Sequence, residues 1–413
     1  MPTNRNHGRG DVPGFLVSTD SVLARYRKRL LFAVFLLALF IRVIVVVFVS
    51  GDNPVPSGGD AVSYDAYARE IVAGDWLGKP VSYREVGYPF FLSLVYRVAG
   101  DRPLAGCMAN ALLGALVCVL VFLLAERIFG ITVAAASSLA IAFNAQLVFL
   151  GAQLLREALV TLLLLCFSIV LLWAMRRPSW KRLGTAALLL VVLVHTDARF
   201  LFHLPFVAAY LVVAVGGILR GARSAAVFLL VFLVGMIPWQ VHNLAVYDAF
   251  VLVNTRTMVK PVPWLEGSSE AARRHTPEPH VRKEGSRVLT GARRVLYDIT
   301  EFSRVFRFRG EVRNNSTAWE APWSAFHNWS SILTYGVFLP FFFIAAWVVG
   351  RRRMWEAAVL LVPIVAHTIL HMIKWGRERY RAPIEPMIVI LAAYGMAWVW
   401  QWWRSRSATE RTA

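Results

Sequence analysis

The chain has few cysteines, few acidic residues and none of the short signatures of soluble catalysis. Its three cysteines, Cys107, Cys118 and Cys166, all lie inside apolar blocks, so neither a disulfide framework nor a thiolate metal site is expected. No Walker loop, dinucleotide-binding glycine pattern, HExxH helix or serine nucleophile elbow occurs, which argues against nucleotide-driven and zinc-protease chemistry. Acidic residues are outnumbered, 25 Asp and Glu against 44 Lys and Arg, for a formal charge of +19. Much of that excess sits in short connectors beside apolar blocks. The placement reads as membrane topology and anionic-lipid contact, and no nucleic-acid partner is expected.

What is abundant is apolar. Hydrophobic residues make up 57% of the 413 residues and come in long blocks, as in a polytopic, all-α membrane protein. The first block, 30–50, follows Arg25, Arg27, Lys28 and Arg29. At about 1.5 Å per residue it crosses a hydrocarbon layer of about 30 Å, and it reads as an uncleaved span because no small-x-small pattern closely follows. Apolar length and the Lys/Arg bias give about ten spans, at 30–50, 103–125, 131–150, 157–175, 183–198, 201–219, 224–242, 328–348, 355–373 and 382–402. A single broken or tilted pair fits 183–219 equally well. The bias puts 1–29 and the tail 403–413 in the cytoplasm, with one transmembrane module, 30–402, between them.

Two sizeable loops, 51–102 and 243–327, then fall on the exterior side. The second mixes acidic and basic residues with several Trp and Pro and suits a small subdomain or a lid. The first holds Asp60, Asp65, Asp75, Arg84 and Glu85 at a membrane edge, where a dense charged group is costly to keep without a use. Asp60, Tyr64, Ala68 and Ile71 recur at helical spacing, with Asp65 and Arg69 as an i,i+4 pair. Residues 88–99 are apolar but too short to cross; they suit the interface, with Tyr88, Tyr96 and Arg97 at headgroup level. The last exterior connector, 374–381, reads KWGRERYR. Lys374, Arg377, Arg379 and Arg381 stand where basic residues are normally scarce, so either the last pair of spans runs the other way or the cluster binds an anion beside the membrane, a phosphorylated lipid being the economical ligand.

Asp60 is the candidate catalytic residue. It follows two glycines and either accepts a proton from an attacking hydroxyl, holds a divalent ion such as Mg or Mn, or simply caps the next helix; spacing does not separate these. Arg84 either chelates a lipid phosphate or pairs with Glu85, and Arg156 with Glu157 forms a second such pair in which mutual neutralisation is the default. Arg42, deep in the first span, must face protein and meet an acid or carbonyls. His195, Asp197 and Arg199 alternate and share no helical face, which argues against a triad, while His242 and Asn243 end a span and can line the same cavity. These residues suit transfer of a sugar from a polyprenyl phosphate: cations stabilise the leaving phosphate, and Asp60 assists the hydroxyl in a displacement with inversion. Loop 243–327 would close over the site.

The same residues carry a resemblance. Arg42, Gly59-Asp60 with Tyr64 and Ala68, Arg84-Glu85-Val86-Gly87-Tyr88-Pro89, Arg156-Glu157, the Pro238–Asn243 stretch and Arg379-Tyr380-Arg381-Ala382-Pro383-Ile384-Glu385-Pro386 resemble motifs of the GT-C membrane glycosyltransferases. The likeness is to the protein mannosyltransferase-like group with the aminoarabinose transferases, and it covers most of the chain. Val86 and His242 stand where that group usually has proline and arginine. The resemblance implies a GT-C fold, Asp60 as the catalytic acid group, and Arg84 with the basic turn on the donor phosphate. Tyr64, Asp65, Glu85, Tyr88, Arg156, Glu157, His242 and Asn243 would support the site or meet acceptor or metal. The implied partners are a polyprenyl-phosphate sugar, a glycan, lipid or protein acceptor, and membrane lipids, in a bacterial inner membrane with the site facing outward. A lipid flippase or ion-coupled transporter is the rival, but no inverted repeat is visible in the sequence.

Overall fold

The computed structural model describes residues 20, 22–50, 59–74, 84–247, 251–254, 335–373 and 378–410. Asp75, Lys374, Arg377 and most of loop 243–327 lie outside them. Among the described residues the chain is helical and contains no strand, the expected solution where lipid offers the backbone no hydrogen-bond partner. The helices are α1 (Arg27–Ser50), α2 (Asp60–Ala73), α3 (Gly87–Ala99), α4 (Pro103–Phe129), α5 (Ile131–Ala142), α6 (Ala145–Gly151), α7 (Glu157–Arg176) and α8 (Trp180–Thr196). They continue with α9 (Leu204–Ala214), α10 (Ile218–Tyr247), α11 (Phe338–Arg351), α12 (Trp355–Ile373) and α13 (Glu385–Glu410), while 3-10 turns cover Ala198–His203 and Glu378–Ile384.

Six helices are long and apolar enough to cross a membrane singly, and α5 with α6, bent by 55°, makes a seventh if the pair is one span. The chain is an integral multi-pass membrane protein. The spans expected at 183–198 and 201–219 take the form of α8, a 3-10 turn and α9, and that at 328–348 includes the short α11. The α5–α6 bend has a local cause. Asn144 leaves the helical course to cap α6, accepting from Leu147 N at 2.9 Å, and its Nδ2 donates to Glu385 Oε2 at 2.9 Å.

Helix α4 is the hub, packed against α1, α5 and α7; α7 packs on α8, α8 on α10, and α11 on α13. Arg42 crosses the α1–α4–α5 contact. It is buried and donates to the carbonyls of Ala38 (3.1 Å), Ile141 (3.4 Å) and Ala142 (3.5 Å), the carbonyl alternative expected from sequence. Gly114 on α4 leaves the room its guanidinium needs.

Ion pairs sort the helix ends. Arg27 at the start of α1 grips Glu126 at the end of α4, at 2.6 and 2.8 Å. Arg176, at the end of α7, grips Glu356 at the start of α12 and donates to Arg127 O at 3.0 Å. These residues therefore mark one end of the bundle. The start of α7, the end of α8 and the turn before α13 form the other, and α2 and α3 sit there.

Candidate active site

Helix α2 begins where Gly59, at φ 91°, turns the chain in a conformation that a residue with a Cβ rarely adopts. Asp60 is thus the first helical residue and Gly59 the cap, which corrects the capping reading of Asp60. Its carboxylate is held by two arginines. Arg84 Nη2 lies 2.6 Å from Oδ1, and Arg379 Nη2 contacts Oδ2. The start of α2 and the turn before the last helix therefore meet at one point, bringing residues 319 positions apart into contact. Burial by itself pushes the Asp60 carboxyl up, but the charges of Arg379 and Arg84 outweigh it and hold the group well below the usual carboxylate range.

Six consecutive residues explain how Arg84 is aimed. Arg84 reaches Asp60, and its guanidinium lies over the ring of buried Tyr64, 5.5 Å from the centroid. Glu85 turns the other way, to Arg156 Nη1 at 2.5 Å and Ala198 N at 3.2 Å. Val86 is buried and its carbonyl accepts the first helical bond from Phe90 N at 2.8 Å. Gly87 packs against Thr196, where a Cβ would sit 2.7 Å from the threonine Cα. The Tyr88 hydroxyl accepts from Asn110 Nδ2 at 2.9 Å, and Pro89 falls in the first turn, where a missing N–H costs nothing.

Several expected pairings are replaced by others. Arg84 is paired with Asp60, and Arg156 with Glu85. Neighbours along the chain point in different directions, so each takes a partner from another element. Arg156 bridges Glu85 and Asp197, the latter at 3.5 Å, while Glu157 Oε1 lies 3.7 Å from Arg379 Nε. Asp197 and Arg199, set aside because alternation excludes a shared helical face, are part of this network. Asp197 is fully buried and takes Arg199 Nη2 at 2.5 Å. The helical-face argument fails because α8 ends at Thr196 and a 3-10 turn follows; an acid directly after an apolar helix was the available signal.

Tyr88 and Tyr96 are buried against protein; Tyr96 donates to Asp65 Oδ1 at 2.5 Å, and Asp65 also holds Arg69 at 2.9 Å as the i,i+4 pair expected. Arg381 is buried against Glu385 at 2.9 Å, with its guanidinium 3.6 Å from the Tyr335 ring centroid. It braces the start of α13 and does not join Arg379 on Asp60. Asn243 is buried and donates to Val251 O at 2.8 Å, while His242 lies beside Trp239, 5.0 Å between centroids. Among the described residues no group of three His, Cys, Asp or Glu side chains is placed to hold a metal ion. Both Asp60 oxygens face guanidiniums, so this donor set does not fit a resident cation.

No protein-family model matches the chain, and no curated protein does. Solved structures do match. ArnT from Cupriavidus metallidurans bound to undecaprenyl phosphate is 18% identical, with a TM-score of 0.55 over 89% of this chain and 61% of that one. Oligosaccharyltransferase AglB from Archaeoglobus fulgidus, in complex with an inhibitory peptide and a dolichol-phosphate, is 14% identical, with a TM-score of 0.59 over 94% of this chain and 52% of that one. The Archaeoglobus fulgidus oligosaccharyltransferase in complex with Zn and sulfate gives 15% and 0.57, over 91% of this chain and 50% of that one. The chain thus spans 50 to 61% of these proteins' lengths. At such identities the likeness shows the fold, and the chain has the GT-C fold of these enzymes.

Proposed function

We propose that the protein is an inverting glycosyltransferase that moves one sugar from a polyprenyl-phosphate-linked donor to an acceptor hydroxyl on a glycan, lipid or protein, at the extracytoplasmic face of a bacterial inner membrane. The observation that carries this reading is the Arg84–Asp60–Arg379 cluster, which puts two cations and a carboxylate at the same end of a helical membrane bundle. The fold is shared with ArnT, whose structure holds undecaprenyl phosphate, and with AglB, whose structure holds a dolichol-phosphate.

In this mechanism Arg84 and Arg379 hold the donor phosphate, and Lys374 and Arg377 add positive charge from the preceding turn. Asp60 accepts the proton of the acceptor hydroxyl as that oxygen bonds to the anomeric carbon. The bond from the anomeric carbon to the phosphate oxygen breaks on the opposite face, and the electron pair leaves with polyprenyl phosphate. The leaving phosphate gains negative charge as that bond lengthens, so the arginines stabilise the transition state more than the bound donor. Tyr64 supports Arg84, and Glu157 lies beside Arg379. No step runs through a metal.

The test is transfer by purified protein from a panel of radiolabelled polyprenyl-phosphate sugars into membrane extract. Wild type is expected to transfer label, and Asp60→Asn to lose at least about two orders of magnitude in turnover. Near-normal turnover of Asp60→Asn would remove Asp60 from the role of base.

A further inference from the structure

Two groups assigned to different substrates satisfy one another in this structure. Asp60 is the base for the acceptor and Arg84 and Arg379 are the cations for the donor, yet one carboxylate oxygen meets each guanidinium, so a hydroxyl brought to Asp60 finds both oxygens capped. We propose that the donor's phosphate draws Arg84 and Arg379 off Asp60, so that the base is uncovered by the donor itself and the donor binds before the acceptor is activated. This rests on the transferase reading above and adds an order of events to it.

The geometry supports the exchange. On its other side Arg379 has no hydrogen bond from Nε among the described residues; Glu157, 3.7 Å away, holds it through charge and competes with Asp60 for it. The side chains of Arg84 and Arg379 are 15% and 28% exposed, so a ligand can reach both. Arg84 lies over the Tyr64 ring, a face it can slide across while keeping its cation–π contact. A phosphate offers the same paired oxygens as a carboxylate and takes on further charge as the leaving bond breaks, so it competes best at the moment the base is needed.

The electrostatics run the same way. Burial raises the proton affinity of Asp60, while Arg379 and Arg84 lower it by more and leave a weakly basic carboxylate. Turning both guanidiniums towards a phosphate removes much of the lowering and sets a second negative charge nearby, which makes Asp60 more basic.

Undecaprenyl phosphate and undecaprenol serve as probes, with binding measured to purified wild type, Asp60→Asn and Glu157→Gln in nanodiscs and folding checked by melting temperature. Wild type should prefer the phosphate to the alcohol. Asp60→Asn should bind the phosphate about tenfold more tightly than wild type, because the carboxylate that competes for both arginines is gone, with no change for undecaprenol. Glu157→Gln, which relieves only Arg379, should gain by a smaller factor and stands in if Asp60→Asn does not fold. Equal or weaker phosphate binding by the folded variants, with wild type still preferring phosphate, overturns the exchange and leaves the transferase reading intact. A wild type with no preference for phosphate over alcohol overturns both.

Discussion

Arg156 offers the sharpest test of how the site is held. It bridges Glu85 at 2.5 Å and Asp197 at 3.5 Å, and both acids are buried. The two would not suffer equally from its loss. Asp197 keeps Arg199 on both oxygens, at 2.5 to 3.0 Å, whereas among the described residues Glu85 keeps the backbone N–H of Ala198 at 3.2 Å. Replacing Arg156 by Met should therefore cost about 3–5 kcal/mol, most of it the penalty of a stranded Glu85 carboxylate. Glu85→Gln alone leaves Arg156 with Asp197 and should cost about 1–2 kcal/mol, as for a weakened buried hydrogen bond. Combining the two removes the stranded charge, so the double variant should be more stable than Arg156→Met by about 2–3 kcal/mol, and the losses of the two single variants should not add. The assay is a double-mutant cycle on unfolding in lipid nanodiscs, read alongside kinetics, because Glu85 directly follows Arg84 and its displacement should misplace the phosphate contact. Losses that simply add in the double variant would refute the pairing.

Other outcomes follow from single contacts. Gly114→Ala would drive a methyl into Arg42, 2.8 Å from its Cδ, and should cost about 1–3 kcal/mol by overpacking, with Arg42→Met in the same chain restoring part of the melting temperature. Gly87→Ala meets the Thr196 backbone, which cannot give as a side chain can, so the melting temperature and turnover should fall together as α3 moves and carries Arg84 with it. The Asp60 carboxyl is depressed in the folded protein, so its contribution to stability is complete above the ordinary carboxylate range of about 3.9 and is lost only as pH falls through the lower folded value. Accordingly kcat/KM, which reports the free enzyme, should show no acid limb from Asp60 between about pH 4 and 8; a limb that disappears in a variant freed of that carboxylate would contradict the pairing.

The sequence by itself determined the solvent of this protein and the charged residues from which the proposed site is built. Apolar blocks of span length force helices, because lipid cannot satisfy an open backbone, and a charged stretch such as 60–85 at a membrane edge has to serve some purpose. Asp60, Arg84 and Arg379 were legible on those grounds, as was an inward-facing Arg42. Partner choice was not. Arg84 beside Glu85, and Arg156 beside Glu157, look like pairs in one dimension, but successive side chains diverge, and each found its counter-ion on a different helix. Asp197 entered the network because α8 stops one residue before it and a tighter turn begins, and Arg381 left it because Glu385, four residues on at the start of α13, takes it. A buried charge must be neutralised within a few ångströms, and which groups come that close is a property of packed helices that no spacing along the chain contains.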